Sequence, residues 1–375
     1  MKIPSFYRPT WVEVDLSAVA ANYHALKKRC PMGTKIMVAV KANAYGHGIV
    51  EVSRKLAACG VDYLGVASVD EALLLRRSFL KTPILNLGAF LKNDAEAMVR
   101  HDITATITDR EAAKVLDACG RKLKKKAKAH VKVDTGMGRL GIWHKEADAF
   151  VLDICSLGHL ALEGIYTHFP SADSDEAFTR SQIAVFCSLV RKLNIKGIDI
   201  PLKHTANSVA VIGFKDAHFN LIRPGLAIYG LHAKDAWLGK IDLAPALSFK
   251  TRVVYGKVVE RGRSISYGRT YITRKRTKIV TLPVGYGDGY NRLLSNKAKV
   301  LIHGDLYPVV GRVCMDQTMV DVGKSCVNVG DEVVLMGPQG KLSIRVEDIA
   351  RICRTIPYEV VCWISPRVPR IYLNA

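Results

Sequence analysis

Long uncharged apolar runs are absent from this 375-residue chain, and no stretch approaches the length needed to cross a bilayer. The opening segment, Met1-Lys2-Ile3-Pro4-Ser5-Phe6-Tyr7-Arg8-Pro9, has no apolar core and no small-residue cleavage site of the kind that directs export. The nine cysteines include no C-x-x-C pair and no cysteine–histidine metal spacing, and an odd number does not suit a disulfide framework. These absences predict a protein of the reducing cytoplasm with no metal and no membrane partner. Acidic residues are scarce as well: 34 Asp and Glu stand against 55 Lys and Arg, a formal charge of +21. The densest basic runs, Arg121 to Lys128 and Arg274 to Lys278, lack the interleaved aromatics of a single-strand platform, so no nucleic-acid partner is expected. A positive field still favours small anions such as a phosphorylated cofactor or a carboxylate substrate.

What is present is an ordinary globular composition, 49% hydrophobic and 24% charged, on a chain long enough for two domains. After a strand-like Trp11 to Leu16 and a helix with Ser17 as its N-cap, short β-rich runs alternate with amphipathic stretches as far as Gly230. Counting from Lys35 gives eight strand–helix units, which predicts a (β/α)8 barrel of the TIM type over residues 10–238. Beyond Leu238 short alternating runs are punctuated by turns such as Gly304-Asp305 and Gly330-Asp331, and only Val346 to Cys353 reads as helix. Residues 239–375 are therefore expected to form a mostly β domain, with residues 1–9 packed on it.

Polar residues sit at or just past the C-terminal ends of the apolar runs: Lys41, Asn86, Lys132, His168, Asn207 and Arg223. In a barrel these positions converge on one mouth, where active sites are built. Lys41 opens the segment Lys41-Ala42-Asn43-Ala44-Tyr45-Gly46-His47-Gly48, and an amine there can form a Schiff base with an aldehyde cofactor. Lys132 lies within an apolar strand, and Arg139 follows the Gly136-Met137-Gly138 turn that could aim its planar fork at a carboxylate or phenolate. Asn207-Ser208 and Arg223-Pro224-Gly225-Leu226 combine small residues with backbone donors, the makings of a phosphate cradle. Taken alone, His168 reads as a core histidine and Asn207-Ser208 as a helix cap. The second domain adds Ser266-Tyr267-Gly268, Tyr286-Gly287-Asp288, Cys314-Met315-Asp316-Gln317 and Pro357-Tyr358-Glu359.

Together, and in this order from Trp11 to Tyr372, these segments closely resemble the alanine racemase family. The resemblance implies a pyridoxal 5'-phosphate enzyme working as a head-to-tail homodimer that interconverts L-alanine and D-alanine, supplying D-alanine for peptidoglycan. It makes Lys41 the cofactor lysine and the base for the D face, and Tyr267 the base for the L face, reaching in from the partner subunit. Tyr45, Asn207, Ser208, Gly225, Leu226 and Tyr358 match the phosphate end. Arg223, with His168 bonded behind it, matches the group at the pyridine nitrogen. On the substrate side Arg139 matches the arginine near the cofactor's phenolic oxygen and Met315 a residue whose backbone helps hold the substrate carboxylate; Lys132 matches the lysine that is often carbamylated, and Tyr286, Cys314 and Asp316 the supporting shell. The alternatives are a racemase of broader or serine specificity, a pyridoxal-phosphate decarboxylase on the same architecture, and a non-catalytic pyridoxal-phosphate carrier. An arginine at position 223 speaks against the decarboxylase, and the second domain against the carrier.

Overall fold

A computed structural model describes residues 7–233 and 241–374 of the chain. The boundary expected at 238/239 lies outside the described residues. The first strand, β1 (Thr10–Asp15), ends on Asp15, whose carboxylate accepts from the amides of Ser17 and Ala18 and caps helix α1 (Leu16–Lys27). The cap is thus Asp15 and not Ser17, whose hydroxyl bonds the same carboxylate. An ionised acceptor at the helix N-terminus also meets the positive end of the dipole, which a serine hydroxyl cannot do as well.

Eight parallel strands follow: β2 (Lys35–Ala39), β3 (Tyr63–Val66), β4 (Ile84–Asn86), β5 (Ile103–Ile107), β6 (Ala127–Asp134), β7 (Leu160–Tyr166), β8 (Leu202–His204) and β9 (Leu221–Ile222). They pair in the order β9-β2-β3-β4-β5-β6-β7-β8. The gap between β8 and β9 is bridged once, just past the strand ends, by the parallel pair Asn207 and Arg223. The expected barrel is therefore present and nearly closed. Its outer helices include α2 (Ile49–Ala58), α3 (Val69–Arg77), α4 (Lys92–Arg100), α5 (Arg110–Leu123), α6 (Ala147–Ile154), α7 (Glu176–Ile195) and α8 (Ser208–Gly213). Strand and helix packing bury Ile36, Val38, Leu64, Ile84, Ala105 and Val131, as in barrels whose parallel strands are covered on both faces. Parallel strands put every helix-to-strand turn on one face and every strand-to-helix turn on the other. The mouth is built from the latter.

The remainder forms two antiparallel-rich sheets from β10 (Leu247–Arg252), β11 (Tyr255–Val259), β12 (Thr277–Leu282), β13 (Lys299–Ile302), β14 (Asp305–Pro308), β15 (Thr318–Gly323), β16 (Glu332–Gln339) and β17 (Arg370–Leu373). One sheet runs β14-β13-β16-β10-β1-β17 and the other β11-β12-β15. β1 thus belongs to the C-terminal sheet, paired with β10 and β17, although its sequence position adjoins the barrel. Arg8 reaches the buried carboxylate of Asp288, and the Pro9 carbonyl accepts from the Arg252 amide. Helix α9 (Val346–Cys353) lies where the periodicity places it, but a second helix, α10 (Pro357–Cys362), follows. Six residues are too few to show a helical period, and Pro357 at its first turn reads equally as a loop.

Candidate active site

Lys41 leaves β2 into a turn unusual for L-residues. Ala42, Asn43, Ala44 and Tyr45 take φ values of 52, 54, 52 and 53°, in the left-handed region. That conformation costs about 1–2 kcal/mol per residue, so neighbours must enforce it. Asn43 accepts from the Ile49 amide at 2.9 Å, and the Glu71 carboxylate accepts from the amides of Ala42 and Ala67 at 2.6 and 2.9 Å. Gly46 ends the turn at φ 80°, where a Cβ would stand 2.2 Å from the Val361 carbonyl oxygen.

The turn holds Lys41 against a cavity of about 470 Å³ at the C-terminal ends of the strands. Its lining includes four cationic side chains, Lys41, Lys132, Arg139 and Arg223, and no carboxylate among the described residues. A larger groove of about 690 Å³ between α4 and α5 is far more open and joins no strand end. The mouth cavity is the candidate site.

At one end of the mouth Ser208 Oγ accepts from the amides of Gly225 and Ala227 at 2.8 and 3.2 Å. Asn207 caps α8 through the Ala210 amide, so it positions Ser208. Tyr45 packs on Tyr229 and Tyr358, with ring centroids 5.0 and 6.0 Å away. A Cβ on Gly225 would lie 2.6 Å from Tyr45 Oη, so only glycine leaves this corner open.

Across the mouth, buried Arg223 is fixed by four acceptors. Its Nη2 donates to the carbonyls of Thr167 and Thr205 at 2.7 and 3.0 Å and meets His168 Nδ1 at 3.4 Å. Its Nη1 donates to His204 Nδ1 at 2.9 Å. Arginine has donors only, so Nδ1 of His204 is an acceptor and its proton sits on Nε2. That proton is donated in turn to His130 Nδ1, 2.9 Å away. Tyr166 stacks on His204 at 4.6 Å, lies beneath both Arg223 and Lys132, and shares a 2.8 Å hydrogen bond with Thr106.

Crowded cations and burial shape the protonation of the site. Burial first, then Arg139, lowers the Lys41 amine, and Glu71 partly restores it. Lys132, 4% exposed, is pushed well below its ordinary value by burial, then by Arg223, Arg139 and Lys41. His168 and His204 are likewise held well below the usual imidazole range by burial and neighbouring cations, so both are neutral at pH 7. Burial brings Arg223 down to about 10, still protonated at neutral pH.

The sequence-selected residues therefore gather unevenly. Lys41, Tyr45, Lys132, Arg139, His168, Asn207, Ser208, Arg223, Gly225, Leu226 and Tyr358 all line the mouth. Asn86 does not; its side-chain amide donates to the Gly88 carbonyl and shapes the adjoining turn. Tyr267, Tyr286, Cys314, Met315 and Asp316 are also absent from the lining. They form a separate cluster in the C-terminal domain. The Tyr286 and Gly287 amides donate to the carbonyls of Cys314 and Met315, Ser266 meets Cys314 at 3.4 Å, and Asp316 pairs with Arg367. Tyr267 is 71% exposed on this surface. Two mouth residues with functional side chains escaped the sequence reading, Tyr166 and Cys362, as did His204, which lies behind Arg223. Tyr166 stands two residues before His168, the spacing that puts both on one side of a strand, and this was the available signal.

Models of known families match along most of the chain: "Alanine racemase, N-terminal domain" over residues 14–233 and "Alanine racemase, C-terminal domain" over residues 246–372. The alanine racemase of Halothermothrix orenii is 46% identical over 369 residues, covering 98% of this chain and 97% of the relative. Among solved structures, the alanine racemase of Clostridium difficile superposes with a TM-score of 0.93 at 38% identity, covering 99% of this chain and 97% of that one. The alanine racemase of Bartonella henselae, solved with covalently bound pyridoxal phosphate, gives 0.87 at 27% identity, covering 99% and 100%. With both of its domains matched in order along nearly the whole chain, the chain belongs to the alanine racemase family of amino-acid racemases.

Proposed function

We propose that this chain interconverts L- and D-alanine with pyridoxal 5'-phosphate held at the barrel mouth, as a homodimer in which each subunit completes the other's site. The observation that carries this is the mouth itself: a strand-end amine among three further basic side chains, with no carboxylate among the described lining residues to oppose a bound anion. The residues suit the cofactor chemically. The corner kept open by Gly225, with the Ser208, Tyr45 and Tyr358 hydroxyls and the Leu226 amide around it, offers donors to a phosphate. Lys41 offers the amine that an aldehyde takes, and Arg223 offers a donor that keeps its own proton. When bound, the cofactor supplies an electron sink that acidifies the Cα–H of an attached amino acid.

The chain's own residues then have defined tasks. Inverting Cα means removing a proton on one face and returning one on the other, so two proton carriers must stand on opposite sides. Lys41, its amine lowered by burial and by Arg139, is a competent carrier near neutral pH on one face. Tyr267 of the partner subunit is the carrier for the other. Arg223, locked by Thr167, Thr205 and His204, stays protonated and restrains the sink, which disfavours decarboxylation and transamination. Arg139 is placed to hold the substrate carboxylate, with the backbone of Met315 from the partner subunit. Lys132, whose amine burial and neighbouring cations make less ready to hold a proton than an ordinary lysine, is more open to CO2, which only an unprotonated amine captures. A carbamate there, formed with release of one proton, returns a negative charge to the cluster beside Arg139. All nine cysteines are free thiols, which supports a role in the reducing cytoplasm, and D-alanine for cell-wall precursors is the product's use.

The test is exchange of the Cα hydrogen of each alanine enantiomer in D2O, followed by chiral analysis, with L-serine as competitor. Deuterated product of inverted configuration is expected from either enantiomer. CO2 release or a clear preference for serine would overturn the reading.

A further inference from the structure

The face opposite the mouth carries a pattern that catalysis does not use. Among the described residues beyond Tyr7, the three most exposed large apolar side chains are Met32, Phe79 and Ile195, at 104, 91 and 86%. All three lie at helix-to-strand connections: Met32 in the turn before β2, Phe79 in the turn before β4, and Ile195 as the last residue of α7 ahead of β8. By strand order these connections fall at every second position around the barrel's N-terminal rim. The remaining alternate position, before β6, is filled by Lys124, Lys125 and Lys126, all exposed. Lys28 flanks Met32, and Lys81 flanks Phe79. Among the described residues none of these five lysines forms an ion pair; Lys125 and Lys126 donate only to carbonyls.

Phe79 shows that the pattern is not a by-product of packing. It occupies the left-handed position that ends α3, at φ 63°, while the Leu80 amide returns to the Leu75 carbonyl. Glycine is the favoured residue at that position, and a bulky side chain is strained there. Phe79 bears that strain without burying its ring.

We propose that this rim docks the enzyme on an anionic lipid bilayer, the lysines meeting headgroup phosphates while Met32, Phe79 and Ile195 enter the interface. Dispersed apolar tips among unpaired lysines fit a fluid surface, which accepts side chains at separate points. A protein partner would need a contiguous apolar centre, which the alternation around the rim denies it. A second copy would bring two cationic faces together. A nucleic acid would use the charge but gain nothing from methionine and isoleucine tips, and the rim has no stacking platform. The proposal departs from the absence of a membrane partner expected from the sequence, because docking needs no apolar run. It stands independently of the catalytic reading.

The test is co-sedimentation of the full, cofactor-loaded protein with vesicles of phosphatidylglycerol and phosphatidylcholine in about equal parts, against phosphatidylcholine alone. Binding is expected only to the anionic vesicles and should fall steeply with salt. The exposed-residue variant Met32→Ser/Phe79→Ser/Ile195→Ser should weaken it at least about tenfold with racemisation unchanged. Lys124→Glu/Lys125→Glu/Lys126→Glu should weaken it likewise, and Phe79→Trp should shift its emission to the blue on anionic vesicles alone. No binding at low salt overturns the proposal, as does undiminished binding by the serine variant. Equal weakening of polyuridylate binding by the serine substitutions overturns it in favour of a nucleic-acid face.

Discussion

Two inactive variants should restore each other if the active site is shared. Within one chain Tyr267 is 71% exposed, in a cluster that contributes nothing to the mouth holding Lys41. Lys41→Ala removes one of the two proposed proton carriers and Tyr267→Phe the other. Each change alone should cut racemisation at least about 100-fold, the usual contribution of a positioned acid or base. A heterodimer of the two, co-expressed with different affinity tags and purified through both, holds one site lacking both groups and one site with both intact. Its turnover per dimer should therefore be about half that of the unaltered enzyme, a recovery of at least about fiftyfold over either homodimer. Coupled detection of D-alanine oxidation reads the rate, and absorbance of lysine-bound cofactor confirms that the Tyr267→Phe barrel remains loaded. A heterodimer no more active than its parents refutes the shared site. So does a Tyr267→Phe homodimer that racemises at an undiminished rate.

Other perturbations follow from single features of the fold. Burial opposes ionisation of Asp15, but bonds from Ser17, Asn374 and Ala18 outweigh it and hold the carboxyl below its ordinary value. Asp15→Ala should cost about 1 kcal/mol in urea unfolding above pH 5, a difference that disappears as pH falls through that lowered value. Gly164→Ala would put a Cβ 2.6 Å from His130 Nδ1, against a backbone strand, and should destabilise by about 1–3 kcal/mol. A melting temperature equal to the parent's would show that the His130 ring has room to move. Lys132 binds its proton less readily folded than unfolded, so the folded state gains stability as pH rises toward about 10.4. In CO2-free buffer, Lys132→Met should flatten the change in unfolding free energy between about pH 7 and 9, and an unaltered slope would mean the amine is charged in the fold. His204→Phe removes the acceptor for Arg223 Nη1 and should lower kcat while leaving KM within about threefold, since Arg223 positions groups without holding the substrate carboxylate.

What the sequence made legible divides along a physical line. The barrel was readable because its parallel strands are short apolar runs, and Lys41, Lys132 and Arg223 stand out as polar groups within them or just past their ends at the mouth. His204 and Tyr166 were not readable by that rule. Both are buried within the apolar register, and only the Arg223 guanidinium, brought from another strand, distinguishes them from packing. Helix α10 and the pairing of β1 with β17 were hidden for related reasons. One is too short to show a period, and the other joins residues some 360 positions apart in the chain.

The second-domain cluster marks a different limit. Tyr267, Tyr286, Met315 and Asp316 carry no burial signature, because in one chain they are exposed or nearly so. Nothing in their local pattern separates Tyr267 from Tyr255, another exposed tyrosine on the same domain at 54%. If their environment is supplied by another copy, neither the periodicity of the chain nor the packing of a single subunit can reveal their role. Only resemblance to the family singles them out. Conversely, the rim of Met32, Phe79 and Ile195 was open to inspection in the sequence as three apolar residues beside lysines, yet apolar residues beside lysines are commonplace. It acquires meaning only when strand order brings the three onto one face. The proposed shared site and the proposed docking rim are thus illegible for the same reason: in both, the partner that would complete the environment lies outside the chain.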